Sequence, residues 1–132
     1  MSAVFADTFF FLAILNPSDP AHARASDLSR RLRQPRVTTA WVLTEVGDAF
    51  ARDNRAAFLD LMNLVRDNPL LRVVEPSAEL FAAGVAFYAG RPDKDWPLTD
   101  CISFVVMGRE GIRESLTGDR HFEQAGFVAL LK

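Results

Sequence analysis

The sequence predicts an α/β fold, a three-layer α/β/α sandwich built on a parallel sheet. Short apolar runs, typical of buried strands, alternate along the chain with longer segments that carry apolar residues at helical spacing. This alternation favours parallel strands joined by helical crossovers, with helices on both faces of the sheet. The length of 132 residues matches one ordinary domain, so we expect a single domain over residues 1–132.

The composition is that of a globular protein, with 49% hydrophobic and 24% charged residues. The longest unbroken apolar run, residues 9–15, is too short to span a bilayer. No positively charged region precedes it, and Asp7 argues against a signal peptide. We therefore expect a cytoplasmic protein without a membrane partner. The single cysteine, Cys101, excludes an internal disulfide and is expected to pack in the core.

The first half of the chain is divided by capping residues and by two Asn-Pro pairs that end helices. Asp7-Thr8 caps the first predicted helix, and Thr38 or Thr39 caps the third. Pro20 is placed in the first turn of the second helix. The predicted elements are a strand over 3–6, a helix over 9–15, a helix from 18 or 19 through 32, a strand over 36–38, a helix over 40–52 and a helix around 58–65.

The second half begins with an apolar strand and ends with two more strands. Pro97 suits the first turn of a helix that runs through Met107, with Gly108 and Gly111 beyond its end. The predicted elements are a strand over 70–74, a helix from 76 to 90, a polar loop over 91–95, a helix from about 97 to 107, a strand over 114–117 and a strand over 127–131.

Four acidic residues stand where apolar runs stop: Asp7, Glu45, Asp100 and Asp119. Carboxylates flanked by apolar sequence lie near the core, where an unpaired charge is costly. Asp7 and Asp119 follow predicted strands, and ligands of parallel sheets gather at the carboxyl ends of strands. A shared cluster of hard oxygen ligands suits Mg²⁺ or Mn²⁺. We predict that all four residues are catalytic and bind the metal.

Each acid also has a purely structural explanation. Asp7, Asp100 and Asp119 can each be helix-terminal residues stabilised by the helix dipole, by roughly 0.3 to 1 kcal/mol. Glu45 can turn outward or pair with an arginine. The formal charge of −2 does not exclude a polyanionic substrate, because two bound divalent cations would change it to +2.

Residues near the four acids receive supporting roles at most. Thr8 can orient a carboxylate or a water. His121 can contact phosphate, although we expect it on the surface. Asp93 and Asp95 can add an outer carboxylate, and Asp95 can equally cap the helix near residue 97. Three basic residues beside the pocket either steer a backbone phosphate or are solvated and paired with acids: Arg91, Lys94 and Arg120.

The ordered set of motifs resembles the PIN-domain family of metal-dependent nucleases, particularly the small toxins of VapBC toxin–antitoxin pairs. The resemblance covers essentially the whole chain. It rests on Asp7-Thr8 after the first strand, Glu45 on the helix after Thr38-Thr39, Asp100 within residues 98–104, and Asp119 within residues 116–122.

The resemblance implies a parallel sheet of order 3-2-1-4-5. It also implies that the four acids hold Mg²⁺ or Mn²⁺ for cleavage of RNA phosphodiester bonds. The implied partners are an RNA substrate, a cognate antitoxin protein and a second copy in a homodimer.

Other functions remain open at the sequence level. A PIN-like module that binds RNA or protein without cutting has the same motifs. A phosphoacceptor receiver domain also collects aspartates at strand ends, but this chain lacks an acidic pair after its first strand. The apolar residues Phe10, Phe11 and Leu15 pack in the core by default, and otherwise supply a dimer or antitoxin surface.

Overall fold

The computed structural model describes residues 2–132 and has the predicted three-layer α/β/α architecture. Its parallel sheet has five strands in the order β3-β2-β1-β4-β5, as the resemblance implied. The strand order reverses between β1 and β4, which makes the end of these two strands the switch point of the sheet. The strands are β1 (Val4–Ala6), β2 (Arg36–Thr39), β3 (Leu71–Val74), β4 (Glu114–Leu116) and β5 (Val128–Ala129).

Helices connect the strands and cover the sheet. Side chains at Thr39, Asn54 and Ser77 accept backbone N–H groups and so begin three of these helices. The helices are α1 (Thr8–Leu15), α2 (His22–Arg31), α3 (Ala40–Phe50), α4 (Arg55–Asp67), α5 (Ala78–Ala89), α6 (Leu98–Glu110) and α7 (Arg120–Gln124). Within residues 2–132, none is long and apolar enough to cross a membrane.

Several features differ from the prediction, including the last strand, which is shortened to Val128–Ala129. Helix α2 begins at His22, because the Asp19 side chain accepts the Ala21 N–H and holds the preceding residues in a turn. Gly108 lies inside α6, and only Gly111, at a φ of 68°, ends that helix in the left-handed conformation. The short helix α7 was not predicted.

The core surrounds the central strand β1, every residue of which is buried because strands pair on both of its sides. Phe10 and Phe11 are 5% and 2% exposed and belong to this core. The alternative that they form a partner surface is therefore wrong. Cys101 is buried as predicted.

Candidate metal centre

The carboxyl ends of β1 and β4 place Asp7 beside Thr117. Ala6 is paired with Leu116 across these two strands, so the next residue of each strand lies at the same edge of the sheet. The Thr117 hydroxyl donates a hydrogen bond to Asp7 Oδ2 at 2.8 Å. The same hydroxyl accepts the Asp119 N–H at 3.0 Å. One threonine therefore connects two of the predicted acids at the switch point.

Asp7 is the most deeply buried of the four acids, at 3% exposure. Its Oδ1 atom is buried and has no hydrogen-bond partner among the described residues. Burial, with a smaller contribution from the charge of Asp100, raises the pKa of Asp7 to about 7, while the hydrogen bond from Thr117 opposes the shift. A buried carboxylate oxygen without a hydrogen-bond partner is stabilised by a proton or by a bound cation.

Asp100 enters the cluster from the first turn of α6 and is 6% exposed. Burial and, to a smaller extent, the charges of Asp119 and Glu45 together raise the pKa of Asp100 to about 7. The structure thus brings Asp100 within electrostatic reach of three other acids, since the charge of Asp100 in turn raises the pKa of Asp7.

Asp119 begins helix α7 and is partly exposed. Its Oδ1 atom accepts the backbone N–H of His121 at 2.9 Å, so the predicted structural role as a helix cap is confirmed for this residue. Asp7 occupies the corresponding position before α1 but makes no side-chain cap bond. A cap bond therefore does not account for the burial of Asp7.

Glu45 reaches the cluster from α3, which begins one residue after β2. Its Oε1 atom accepts a hydrogen bond of 2.6 Å from the Thr8 hydroxyl, next to Asp7. Within residues 2–132, no arginine or lysine forms an ion pair with Glu45. The alternative of an arginine partner is therefore wrong, and Thr8 holds the carboxylate instead.

His121 was expected on the surface, and this expectation is wrong. Its side chain is only 16% exposed, and Nδ1 lies 3.1 Å from Asp100 Oδ2 and 3.3 Å from Asp119 Oδ1. The only signal in the sequence was that His121 lies two residues after Asp119. The helix that carries it is too short to show helical periodicity. Sequence reasoning therefore treated as peripheral a residue that contacts two of the four acids.

The loop before α6 forms the outer edge of the cluster. Asp95 is 76% exposed, with Oδ1 3.6 Å from His121 Nε2 and Oδ2 4.0 Å from Arg120 Nη2. Pro97 occupies the N-cap position of α6, so the alternative that Asp95 caps this helix is wrong. Asp93 instead makes two hydrogen bonds of 3.0 Å to Arg91.

The donor atoms of this cluster fit a hard divalent cation. One donor atom each from Asp100, Asp119 and His121 lies within 4.8 Å of the others. The orphaned Oδ1 of Asp7 adds an acceptor without a competing hydrogen bond. Carboxylate oxygens are the ligands that Mg²⁺ and Mn²⁺ prefer, and a cation would offset the mutual repulsion that raises the pKa values of Asp7 and Asp100.

No family model matches the chain. A sequence comparison finds the 23S rRNA-specific endonuclease VapC20 of Mycobacterium tuberculosis, which is 28% identical over 127 residues, or 95% of each chain. The crystal structure of VapC20, described as a toxin that cleaves the sarcin–ricin loop, has a TM-score of 0.86 at 26% identity. The match covers 95% of this chain and 96% of that one.

Two more distant structures share the fold. VapBC2 of Rickettsia felis, bound to a promoter DNA fragment, has a TM-score of 0.68 at 10% identity, with 96% of each chain covered. FitAcB of Neisseria gonorrhoeae has a TM-score of 0.60 at 19% identity, over 96% of this chain and 94% of that one. The architecture around the acidic cluster is thus shared by proteins with little sequence in common.

Proposed function

We propose that the chain is a VapC-type member of the PIN-domain family and acts as a metal-dependent endoribonuclease, the toxin of a type II toxin–antitoxin pair. The observation that carries the proposal is the cluster of Asp7, Glu45, Asp100 and Asp119 at the switch point of the sheet. Within residues 2–132, its most buried member, Asp7, has an oxygen without a hydrogen-bond partner. The likeness to VapC20, a 23S rRNA endonuclease, supports RNA as the substrate. We assign one PIN domain to residues 1–132.

The cofactor of this proposal is Mg²⁺ or Mn²⁺, held by the four acids. Asp7 and Asp100 are the first choice for direct ligands, because they are the most buried of the four and their pKa values are raised by burial and by neighbouring charge. When bound, such an ion supplies positive charge that eases deprotonation of an attacking water and stabilises the anionic phosphate in the transition state.

The surrounding hydroxyl groups orient the acids for this role. Thr117 holds one oxygen of Asp7 and leaves the other free, while Thr8 fixes one oxygen of Glu45. Glu45 is only half-buried, so it can approach a water at the mouth of the cluster and accept its proton. Preorganised carboxylates lose little freedom when substrate binds, which favours reaction.

A backbone phosphate of RNA would meet Lys94 next to the cluster. Arg91 is paired with Asp93, and Arg120 lies 4.0 Å from Asp95. Among the described residues, Lys94 forms no ion pair with an acid, which makes it better able than Arg91 or Arg120 to contact a phosphate. Lys94 is thus the first candidate for backbone contact.

The partners of this proposal are a second copy of the chain and an antitoxin. Phe81, Val85 and Tyr88 lie on one face of α5 and are 44%, 40% and 54% exposed, which supports burial of that face in a homodimer. A separate hollow of about 450 Å³, lined in part by Leu12, Leu15 and Phe50, supports an antitoxin contact. A cytoplasmic location follows from an RNA substrate and such a partner.

Cleavage assays with metal-stripped protein test the proposal. The substrates are a sarcin–ricin loop hairpin, an unrelated hairpin and a single-stranded RNA, each with Mg²⁺, Mn²⁺ or EDTA. We expect cleavage of at least one RNA with either ion, none with EDTA, and a loss of about 100-fold or more in kcat/KM for Asp100→Asn. Asp93→Asn is the matched control, because Asp93 is exposed and paired outside the cluster; it should stay within about twofold.

Cleavage that persists in Asp100→Asn at the wild-type rate would indicate a contaminating nuclease. Binding of RNA without turnover under every metal condition would contradict catalysis and favour the non-cutting PIN-like module. Transfer of phosphate from a small phosphodonor to one aspartate would favour the receiver domain.

A further inference from the structure

His121 occupies the position of a ligand within the acidic cluster. Its Nδ1 atom contacts an oxygen of Asp100 at 3.1 Å and one of Asp119 at 3.3 Å, and the ring is mostly buried. The three donor atoms lie close enough to surround one ion. A cation bound by these two carboxylates would therefore come within reach of the imidazole nitrogen.

The other ring nitrogen faces a carboxylate at the outer edge of the cluster. Nε2 lies 3.6 Å from Oδ1 of Asp95, whose exposed side chain is free to move closer. A carboxylate that accepts the N–H of one ring nitrogen fixes the tautomer and leaves the lone pair of the other nitrogen for a metal. A shift of Asp95 to within hydrogen-bond distance of Nε2 would give His121 the carboxylate partner that accompanies histidine ligands in metal sites.

A nitrogen ligand changes which ion the site prefers. Imidazole is a poor ligand for Mg²⁺, which favours oxygen, whereas first-row transition ions accept a mixed set of nitrogen and oxygen ligands. We propose that His121 is a direct ligand through Nδ1 and that it makes this centre selective for Mn²⁺ over Mg²⁺. The inference rests on the proposed metal-dependent function and goes further by naming a fifth ligand and the preferred ion.

Calorimetric titration of metal-stripped protein with Mn²⁺ and with Mg²⁺ tests the selectivity without any substrate. We expect wild-type protein to bind Mn²⁺ at least about tenfold more tightly than Mg²⁺. His121→Asn should weaken Mn²⁺ binding about tenfold or more and leave Mg²⁺ binding within about threefold, because asparagine retains an oxygen donor. The matched control is His22→Asn, since His22 is the only other histidine and contacts the Ala13 carbonyl instead of the acids.

Pulsed electron paramagnetic resonance of bound Mn²⁺ tests the ligand directly in the wild-type protein. With ¹⁵N-labelled histidine, we expect a nitrogen coupling typical of a ligated imidazole in the wild type and in His22→Asn. The coupling should be lost in His121→Asn. Because the wild-type spectrum alone decides whether a histidine nitrogen is bound, the proposal remains testable if the variant does not fold.

The outcomes separate this inference from the proposed function. RNA cleavage with Mn²⁺ but no histidine coupling would overturn the inference and leave the ribonuclease intact. Histidine coupling in a protein that cleaves no RNA would support the ligand and count against the ribonuclease. Equal losses of Mn²⁺ and Mg²⁺ affinity in His121→Asn would overturn the selectivity, and a wild type that binds neither ion would overturn both proposals.

Discussion

Two adjacent regions of the molecule are built on the same two helices but have opposite chemistry. Asp100 in α6 and His121 in α7 belong to the acidic cluster. Phe104, one turn after Asp100, and Phe122, directly after His121, pack edge to face with ring centroids 4.9 Å apart. Trp96 packs on Phe104 in the same way at 5.2 Å. One turn of helix thus separates the charged cluster from an aromatic layer.

The two regions contribute to the stability of the fold with opposite signs. The aromatic layer buries large apolar surfaces and adds favourable ring contacts. The acidic cluster holds repelling carboxyl groups with raised pKa values and one orphaned oxygen. Rigid aromatic packing beneath the acids fixes the backbone that carries them. We infer that the cluster is tolerated because the adjacent layer compensates for it.

The aromatic side of the comparison predicts the largest change in stability. Phe104→Ala removes the ring that contacts Trp96, Phe122 and Phe127. We expect the free energy of unfolding to fall by about 3–5 kcal/mol, because a buried cavity remains. Urea denaturation measures this, with Phe104→Leu as a milder control. A loss below about 1 kcal/mol would show that the layer does not stabilise the fold.

Substitution in the acidic cluster is expected to change the free energy of unfolding in the opposite direction. The pKa of Asp7 is about 7 in the folded protein, above the ordinary value of 3.8. Between these values the folded form retains a proton that the unfolded form releases, so stability falls as the pH rises through this window. Asp7→Asn is always neutral, and we expect it to be more stable than wild type by about 2–4 kcal/mol at pH 8 without metal.

At pH 4 this gain from Asp7→Asn should largely disappear, because the wild-type carboxyl is then protonated in the folded state. Urea denaturation in EDTA at the two pH values gives the comparison, with Asp93→Asn as the control for an exposed aspartate. Equal stability of wild type and Asp7→Asn at pH 8 would contradict the inference that the acidic cluster destabilises the fold.

Substitutions at two glycines test how tightly α6, which carries residues of both regions, packs against α5. A Cβ at Gly84 would lie 2.3 Å from Ile102 Cγ1, whereas a Cβ at Gly108 would meet no atom within 4 Å. We expect Gly84→Ala to destabilise the protein by about 1–3 kcal/mol and Gly108→Ala to stabilise it by about 0.5–1 kcal/mol. Thermal unfolding distinguishes the two, and a neutral Gly84→Ala would mean that α6 shifts freely.

The smallest expected change in stability comes from Thr8, which acts only through Glu45. Thr8→Val removes the hydroxyl that donates to Glu45 Oε1, and we expect a loss of about 1 kcal/mol or less. Cleavage of RNA should nevertheless fall about tenfold, because Glu45 is no longer oriented. Thr8→Ser retains the hydroxyl and should restore most activity. Unchanged cleavage in Thr8→Val would show that Thr8 does not support catalysis by orienting Glu45.

The sequence predicted the parts of the fold and site that depend on local signals. Asp7 and Asp119 were placed at strand ends because apolar runs stop there, and parallel pairing of β1 with β4 does bring those ends together. The strand order came from the family resemblance instead, because periodicity does not specify which strands are neighbours. The capping residue Thr39, one of the two predicted candidates, likewise begins its predicted helix.

The rest of the site depends on contacts that local patterns do not encode. His121 meets Asp100 across 21 positions of sequence, and Thr117 meets Asp7 across 110. Thr117 stands at the end of a predicted strand, and its hydroxyl meets Asp7 only when β4 lies beside β1. Helix α7 has five residues, too few for a helical pattern to appear.

Anomalous diffraction from crystals grown with Mn²⁺ shows whether the acidic cluster binds a metal, since it locates the ion without reference to activity. We predict an anomalous peak bounded by Asp7 and Asp100, with Glu45 and Asp119 around it. A peak at another surface, or none at this cluster when Mn²⁺ saturates the protein in solution, would contradict the account.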